Sequence, residues 1–317
     1  MANPIIDFGA HFHPEPPEAF DTYHDFIDTA DGAAICSDIR SVLERYRDSC
    51  VDHAVLSQPF YMGCDDAKAT ANANDALLDI VEAHEELFGL AAIPTAAGGE
   101  AAAAEFERAL ESGYNGGALE TRSGGVELID DELEPVFEVA DRTAAPILIH
   151  PKLHNSLGEN ILDDTWRLNA IFGREVALAE SICKVIHEGV YDNYPDLRLV
   201  FHHNGGNIAS MLPRIHLQLD DGRWPGLEGL KSYDEFEAQL TQYVFLDSSG
   251  YFGERATFRR TLDSFPSSQF LFATDFPYET RETAVIRKFV DSFEEVCSSS
   301  DAERILGGNA LDLLVNV

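Results

Sequence analysis

Short apolar runs rich in β-branched and aromatic residues alternate along the chain with longer stretches where apolar residues recur every three to four positions. The first pattern reads as strands and the second as amphipathic helices. Strands are predicted over residues 4–8, 51–57, 87–93, 116–120, 146–150, 197–202, 244–247 and 270–274. Helices are predicted over residues 39–49, 67–84, 98–112, 131–143, 174–191, 208–219, 254–264 and 281–297. Strand followed by helix, eight times, argues for an α/β fold with a parallel sheet. Eight such units suit a closed (β/α)8 TIM barrel better than an open doubly wound sheet. No internal repeat or linker divides the chain, so residues 1–317 read as one domain. Residues 14–36 break the alternation as an insertion after strand one, and residues 154–172 form a long loop after strand five. Long βα loops of a barrel usually shape its substrate site. A final helix beginning near Asn309 ends the fold.

Charge adds a second layer to this picture. The chain has 56 acidic and 22 basic residues, a net charge of −34, and only five of the basic residues are lysines. Such a surface repels nucleic acid and anionic membranes, so neither is expected as a partner. The acids are spread through amphipathic segments rather than gathered in a tail, which suits a solvated shell adapted to concentrated salt and a halophilic source. The start, MANPIIDFGAHFHPE, lacks a signal peptide's basic and continuous apolar regions, and no apolar run reaches the roughly 20 residues of a membrane helix. A cytoplasmic protein is expected. Five scattered cysteines without a CxxC pair suit a reducing compartment and argue against a thiolate zinc site.

In a barrel, polar side chains at the C-terminal strand ends decide function. His11 and His13 follow strand one, and residues i and i+2 on a strand share a face, so two imidazoles can meet one ion. His150 ends strand five, His202 and His203 end strand six, and Asp275 ends strand eight. Imidazoles with one carboxylate suit zinc, manganese or iron. Each feature alone has a plain structural reading: HxH is a common chance pair, His150 could be a core histidine, and Asp275 could cap the next helix. Their agreement at four strand ends carries the metal reading. Alternation leaves open which of His202 and His203 faces the barrel axis. Asp247 and Ser248 end strand seven, where they can orient ligands.

The segments DFGAHFHPE, ILIHP, GVYDNYPDLRLVFHHNGGNIASMLPRI, FLFATDFPYE and ERILGGNALDLL run nearly end to end. In order and separation they resemble the amidohydrolase-related group of the amidohydrolase superfamily, which includes the aminocarboxymuconate-semialdehyde decarboxylase-like enzymes. The resemblance implies one divalent metal ion, usually zinc with manganese or iron as alternatives, held by His11, His13, His150 and Asp275. It also implies that His203, which precedes Gly205 and Gly206 and stands eleven residues before Arg214, is the catalytic histidine. His202 is then expected to pack outward or to line the edge of the site. Asn204 departs from the glycine common in decarboxylase members. Strand four offers GGALET and no lysine to bridge two ions, which argues for one metal; Glu120 there reads as a solvated or salt-bridged loop residue, or as a group approaching the site.

The expected enzyme is a non-oxidative decarboxylase of a small carboxylic acid, with His203 and Asp275 as its acid/base groups. The alternative is a hydrolase of a lactone, ester or amide; a lesser alternative is a non-catalytic metal-binding scaffold. Trp166, Arg214 and His154 are the candidate contacts to the carboxylate or lactone substrate. The resemblance implies a homodimer in which a neighbour's arginine can reach the site.

Overall fold

All eight expected strands form in a computed structural model, which describes residues 3–14, 38–151, 162, 165–220 and 222–317. They are β1 (Ile6–His11), β2 (His53–Ser57), β3 (Leu87–Ala92), β4 (Gly116–Glu120), β5 (Pro146–His150), β6 (Arg198–Phe201), β7 (Val244–Asp247) and β8 (Phe270–Leu271). Each pairs in parallel with the next in chain order. The ring closes where Phe8 N–H donates to the Phe272 carbonyl at 2.9 Å and Ala10 bridges Phe276 in parallel. The result is a (β/α)8 TIM barrel.

The longer helices are α1 (Ile39–Asp48), α2 (Ala67–Glu82), α3 (Gly99–Ser112), α4 (Glu134–Thr143), α5 (Arg174–His187), α6 (His202–Gln218), α7 (Tyr233–Tyr243), α8 (Arg255–Leu262) and α9 (Thr283–Val296). Side-chain oxygens satisfy backbone donors at several starts: Asp38 accepts from Arg40 N–H ahead of α1, and Asp66 from Lys68 and Ala69 N–H ahead of α2. Helix α7 was not among the predicted elements. Its signature is a capping box, in which Ser232 and Glu235 exchange side-chain and backbone hydrogen bonds.

Strand alternation sorts apolar residues into two cores. Ile6, Phe8, Val55, Leu90, Ala92, Ala118, Leu148, Val200 and Leu271 fill the lumen. Their neighbours, such as Leu56, Ala91, Leu119, Ile149, Phe201 and Leu246, pack outward against the helices. Beyond Pro14, the insertion of residues 14–36 falls outside the described residues. So does most of residues 154–164; the remainder of that expected loop is a turn, Thr165–Arg167, and a π-helix, Asn169–Gly173, that run into α5. The C-terminal helix is short, Asn309–Leu313, and the Asn309 amide ties it to the barrel by donating to the carbonyls of Ser267 and Phe270, both at 2.7 Å. Among the described residues, no helix is long and apolar enough to cross a membrane.

Candidate metal centre

The lumen face determines which polar side chains meet at the top of the barrel. On β5, Leu148 points inward, so His150 two residues on does too. On β6, Val200 points inward, and His202 follows on the same face. Strand β1 needs a correction: Ile6 and Phe8 point inward, which would turn His11 outward. The register of β1 on β2 shifts between Asp7 and Ala10, placing Ala10 outside and His11 inside. A bulge of this kind exchanges the two faces of a strand. Gly9 sits in the bulge, and a Cβ there would lie 2.8 Å from His202 Cε1.

His11, His150, His202 and Asp275 are all buried, and one ligand atom from each lies within 4.8 Å of the others. Each imidazole is held through Nδ1, leaving Nε2 to turn toward the group. His11 Nδ1 lies 2.9 Å from Ser57 Oγ, His150 Nδ1 donates to the Pro151 carbonyl at 2.7 Å, and His202 Nδ1 donates to Asp247 Oδ2 at 2.5 Å. This is the second layer of contacts that usually orients metal-binding histidines. Asp275 Oδ1 faces His11 Nε2 at 2.9 Å and His202 Nε2 at 3.4 Å, while Oδ2 faces His203 Nε2 at 3.5 Å.

Of the expected ligands, His11, His150 and Asp275 are thus brought together. His13 lies past the end of β1, with Nε2 2.6 Å from the Tyr278 hydroxyl and its ring 4.9 Å from that of Phe60. His202 takes a central position rather than packing outward. His203 also reaches Asp275, because the chain leaves β6 through five successive left-handed residues, His203 to Asn207, with φ between 50° and 64°. That turn ends strand alternation and lets adjacent histidines approach one carboxylate from two sides. Trp166 is 82% exposed and Arg214 is exposed on α6, so neither lines this group within its own chain; His154 lies outside the described residues. Glu120 is buried and accepts from Ser123 Oγ–H at 3.0 Å. Glu175 of α5, missed in the sequence, accepts from His203 Nδ1 at 2.8 Å.

Electrostatics sort these groups. Burial lowers the His11 pKa, partly offset by Asp275, and holds His13 and His150 well below the usual imidazole range. Such imidazoles are neutral and available as ligands. Burial opposes charge on His202 too, but Asp247 overrides it and pushes His202 up to about 9. Burial likewise opposes charge on His203, and Glu175 and Asp275 raise it well above the ordinary value. Burial would raise the Asp275 carboxyl, yet the His11, His202 and His203 imidazoles beside it hold it well below the carboxylate range. Among the described residues, His11 Nε2 and His203 Nε2 are buried without a hydrogen bond of good geometry. The unsatisfied His11 Nε2, in the N/N/N/O donor set of His11, His150, His202 and Asp275, fits one divalent cation.

Comparison with known proteins finds relatives in both sequence and fold. A family model described as amidohydrolase matches residues 6–314. The 2-amino-3-carboxymuconate-6-semialdehyde decarboxylase of Dictyostelium discoideum is 27% identical over 251 residues, 76% of this chain and 65% of that protein. The gamma-resorcylate decarboxylase of a Polaromonas species is 28% identical over 258 residues, 76% of this chain and 74% of that protein. In fold, the chain is similar to the crystal structure of 5-carboxyvanillate decarboxylase from Novosphingobium aromaticivorans, complexed with manganese and 4-hydroxy-3-methoxy-5-nitrobenzoic acid. The TM-score is 0.81 at 19% identity, covering 98% of this chain and 96% of that one.

Proposed function

This chain belongs to the amidohydrolase family, and on that premise we propose that it is a metal-dependent, non-oxidative decarboxylase of a small aromatic carboxylic acid. The observation that carries the reading is the buried histidine–aspartate group at the C-terminal strand ends, in a chain whose relatives are named as decarboxylases. The flat walls beside it suit an aromatic substrate: the Phe60 and Tyr278 rings are 6.1 Å apart, and the His11 ring is 5.3 Å from Tyr278.

His11, His150 and Asp275 would hold one divalent cation. Two residues have a claim to the fourth place: His13 through the family resemblance, and His202 through its position beside the other three. Bound there, a divalent cation supplies positive charge that binds and polarises substrate oxygens. Zinc, manganese and iron all suit the donors, and the fold relative holds manganese. The remaining work falls to the protein. Decarboxylation breaks the bond between the ring carbon and its carboxyl group, and the electron pair stays on the ring carbon. His203, with Nε2 facing the same space as Asp275, donates the proton that this carbon takes up. Asp275, held ionised, keeps His203 oriented and charged. The closed floor of lumen side chains keeps bulk water from competing as a proton source.

The exposed apolar side chains Ile171, Phe172, Val176 and Met211 share one groove between α5 and α6, the helix that also carries Arg214. This supports a homodimer that would cover the groove and present Arg214 to the partner's site. The excess of acidic residues supports adaptation to high salt.

The test combines metal analysis with turnover. Purified protein is expected to hold about one divalent ion per chain, and to release carbon dioxide from hydroxylated benzoates or muconate-type acids. In heavy water the vacated carbon should gain one deuterium. His203→Asn should keep its metal and lose roughly 10²–10⁴-fold in kcat. Of His13→Ala and His202→Ala, the variant that loses metal identifies the fourth ligand. Lactone hydrolysis without carbon dioxide release would replace the decarboxylase reading.

A further inference from the structure

We propose that Glu175 is a positioning residue for His203: it fixes which ring nitrogen faces the reaction space. The inference rests on the decarboxylase reading for its catalytic consequence, but not for its geometry. Glu175 stands in the first turn of α5, on a different element from every metal-site candidate. Its Oε1 accepts from His203 Nδ1 at 2.8 Å, and its Oε2 accepts from the Tyr251 hydroxyl at 3.0 Å. Both carboxylate oxygens are therefore engaged, one by the histidine and one by a residue beyond β7.

The backbone and ring-face contacts of His203 leave it one freedom, which Glu175 removes at Nδ1 from 2.8 Å, with Asp275 Oδ2 farther off at 3.5 Å from Nε2. Its backbone N–H donates to Ser249 Oγ at 3.0 Å. One face of the ring stacks on His202 at 4.7 Å between centroids. Gly250 lies so close that a Cβ there would be 2.9 Å from His203 Cγ. These contacts fix the plane of the ring, but they are apolar or backbone contacts and do not distinguish a nitrogen edge from a carbon edge. A half-turn about χ2 would exchange Nδ1 with a carbon and take Nε2 away from Asp275. A carboxylate on Nδ1 forbids that turn, because it would exchange an N–H···O hydrogen bond for a C–H contact. Gly206 shows how tightly the two elements are fitted: a Cβ there would lie 2.0 Å from the Glu175 carbonyl oxygen.

Glu175→Ala, Glu175→Gln and the wild type separate this role from its alternatives. Each is assayed for metal content, for kcat and KM, and for the His203 Nδ1–H resonance, assigned by its loss in His203→Asn. Glu175→Ala should keep one ion per chain, change KM less than about 3-fold, lower kcat roughly 10–100-fold and lose the Nδ1–H resonance. Glutamine has the reach to accept the same hydrogen bond, so Glu175→Gln should keep the resonance and recover most of kcat. An unchanged kcat in Glu175→Ala, a Glu175→Gln variant no better than alanine, or loss of metal from both would each overturn the proposal. If the wild type turns over no carboxylate, the decarboxylase reading fails by itself. The resonance still decides whether Glu175 holds His203.

Discussion

Asp7 is a buried carboxyl that the chemistry does not use, and its surroundings make a measurable pH effect. It accepts from Thr274 N–H at 3.0 Å, Thr274 Oγ1–H at 2.5 Å, Tyr46 Oη–H at 2.9 Å and Gly9 N–H at 3.2 Å. Burial outweighs these four donors and pushes its pKa up to about 6. Between about pH 4 and 6 the folded protein therefore keeps a proton that the unfolded chain has released. Asp7's contribution to stability falls as pH rises through that window and is constant above it. The cost of ionisation at neutral pH is about 3 kcal/mol, from roughly 1.36 kcal/mol per pKa unit. That cost secures Thr274, the residue before Asp275, which itself has φ of 54°. Asp7→Asn should remove the pH dependence: the stability difference between wild type and variant should change by about 2 kcal/mol between pH 4 and pH 6.5. Urea titrations at both pH values would measure it. Parallel pH profiles would mean that Asp7 keeps one protonation state throughout. None of this was legible in DFGAHFHPE, because periodicity says which face a residue takes and nothing about how many donors surround it.

Among the elements, the one that matters most for the site is the left-handed turn that opens α6. Its non-glycine members His203, Asn204 and Asn207 each cost roughly 1 kcal/mol or more in that conformation. Gly205 and Gly206 adopt it without that cost. At Gly206 a side chain would also strike the Glu175 carbonyl. Gly206→Ala should therefore destabilise by about 2–4 kcal/mol, the sum of strain and overpacking. Gly226 has φ of +90° and nothing within 4 Å of an added Cβ. Gly226→Ala should cost only about 1 kcal/mol, from strain alone. Chemical denaturation of the pair measures the difference, and equal losses would show that contact with α5 contributes nothing. The same turn marks the limit of reading by pattern. The strands of the barrel were legible because their apolar runs are short and evenly spaced, and His150 was legible because it continues the face of Leu148. On β6 the same rule, applied from Val200, selects His202, while the family motif selects His203. The structure places both beside Asp275, because alternation stops at Phe201 and the turn folds the next residue back. On β1 the bulge at Gly9 reverses the face of His11, and no periodicity shows a bulge in advance.

For the whole molecule, the question is what a net charge of −34 does to a barrel whose cores are ordinary. Several of the cations are engaged in pairs near the surface, such as Arg142 with Glu107 at 2.7 Å and Lys231 with Asp192 at 2.6 Å. Pairs of this kind contribute about 0–1 kcal/mol each and weaken in salt. They cannot balance the self-repulsion of the excess carboxylates, which opposes the compact state. Salt acts on both terms, and repulsion is the larger because it sums over many charges. Screening shortens from about 10 Å at 0.1 M to 3 Å at 1 M, a distance at which neighbouring surface carboxylates cease to interact. Melting temperature should therefore rise steadily from low salt to molar potassium chloride. Preferential exclusion of solutes stabilises most proteins to some degree, so the control is sucrose at matched osmolality. A rise in potassium chloride well beyond that in sucrose assigns the effect to charge. Equal rises, or a melting temperature indifferent to salt, would mean that the acidic shell is tolerated by the fold without being part of its stability.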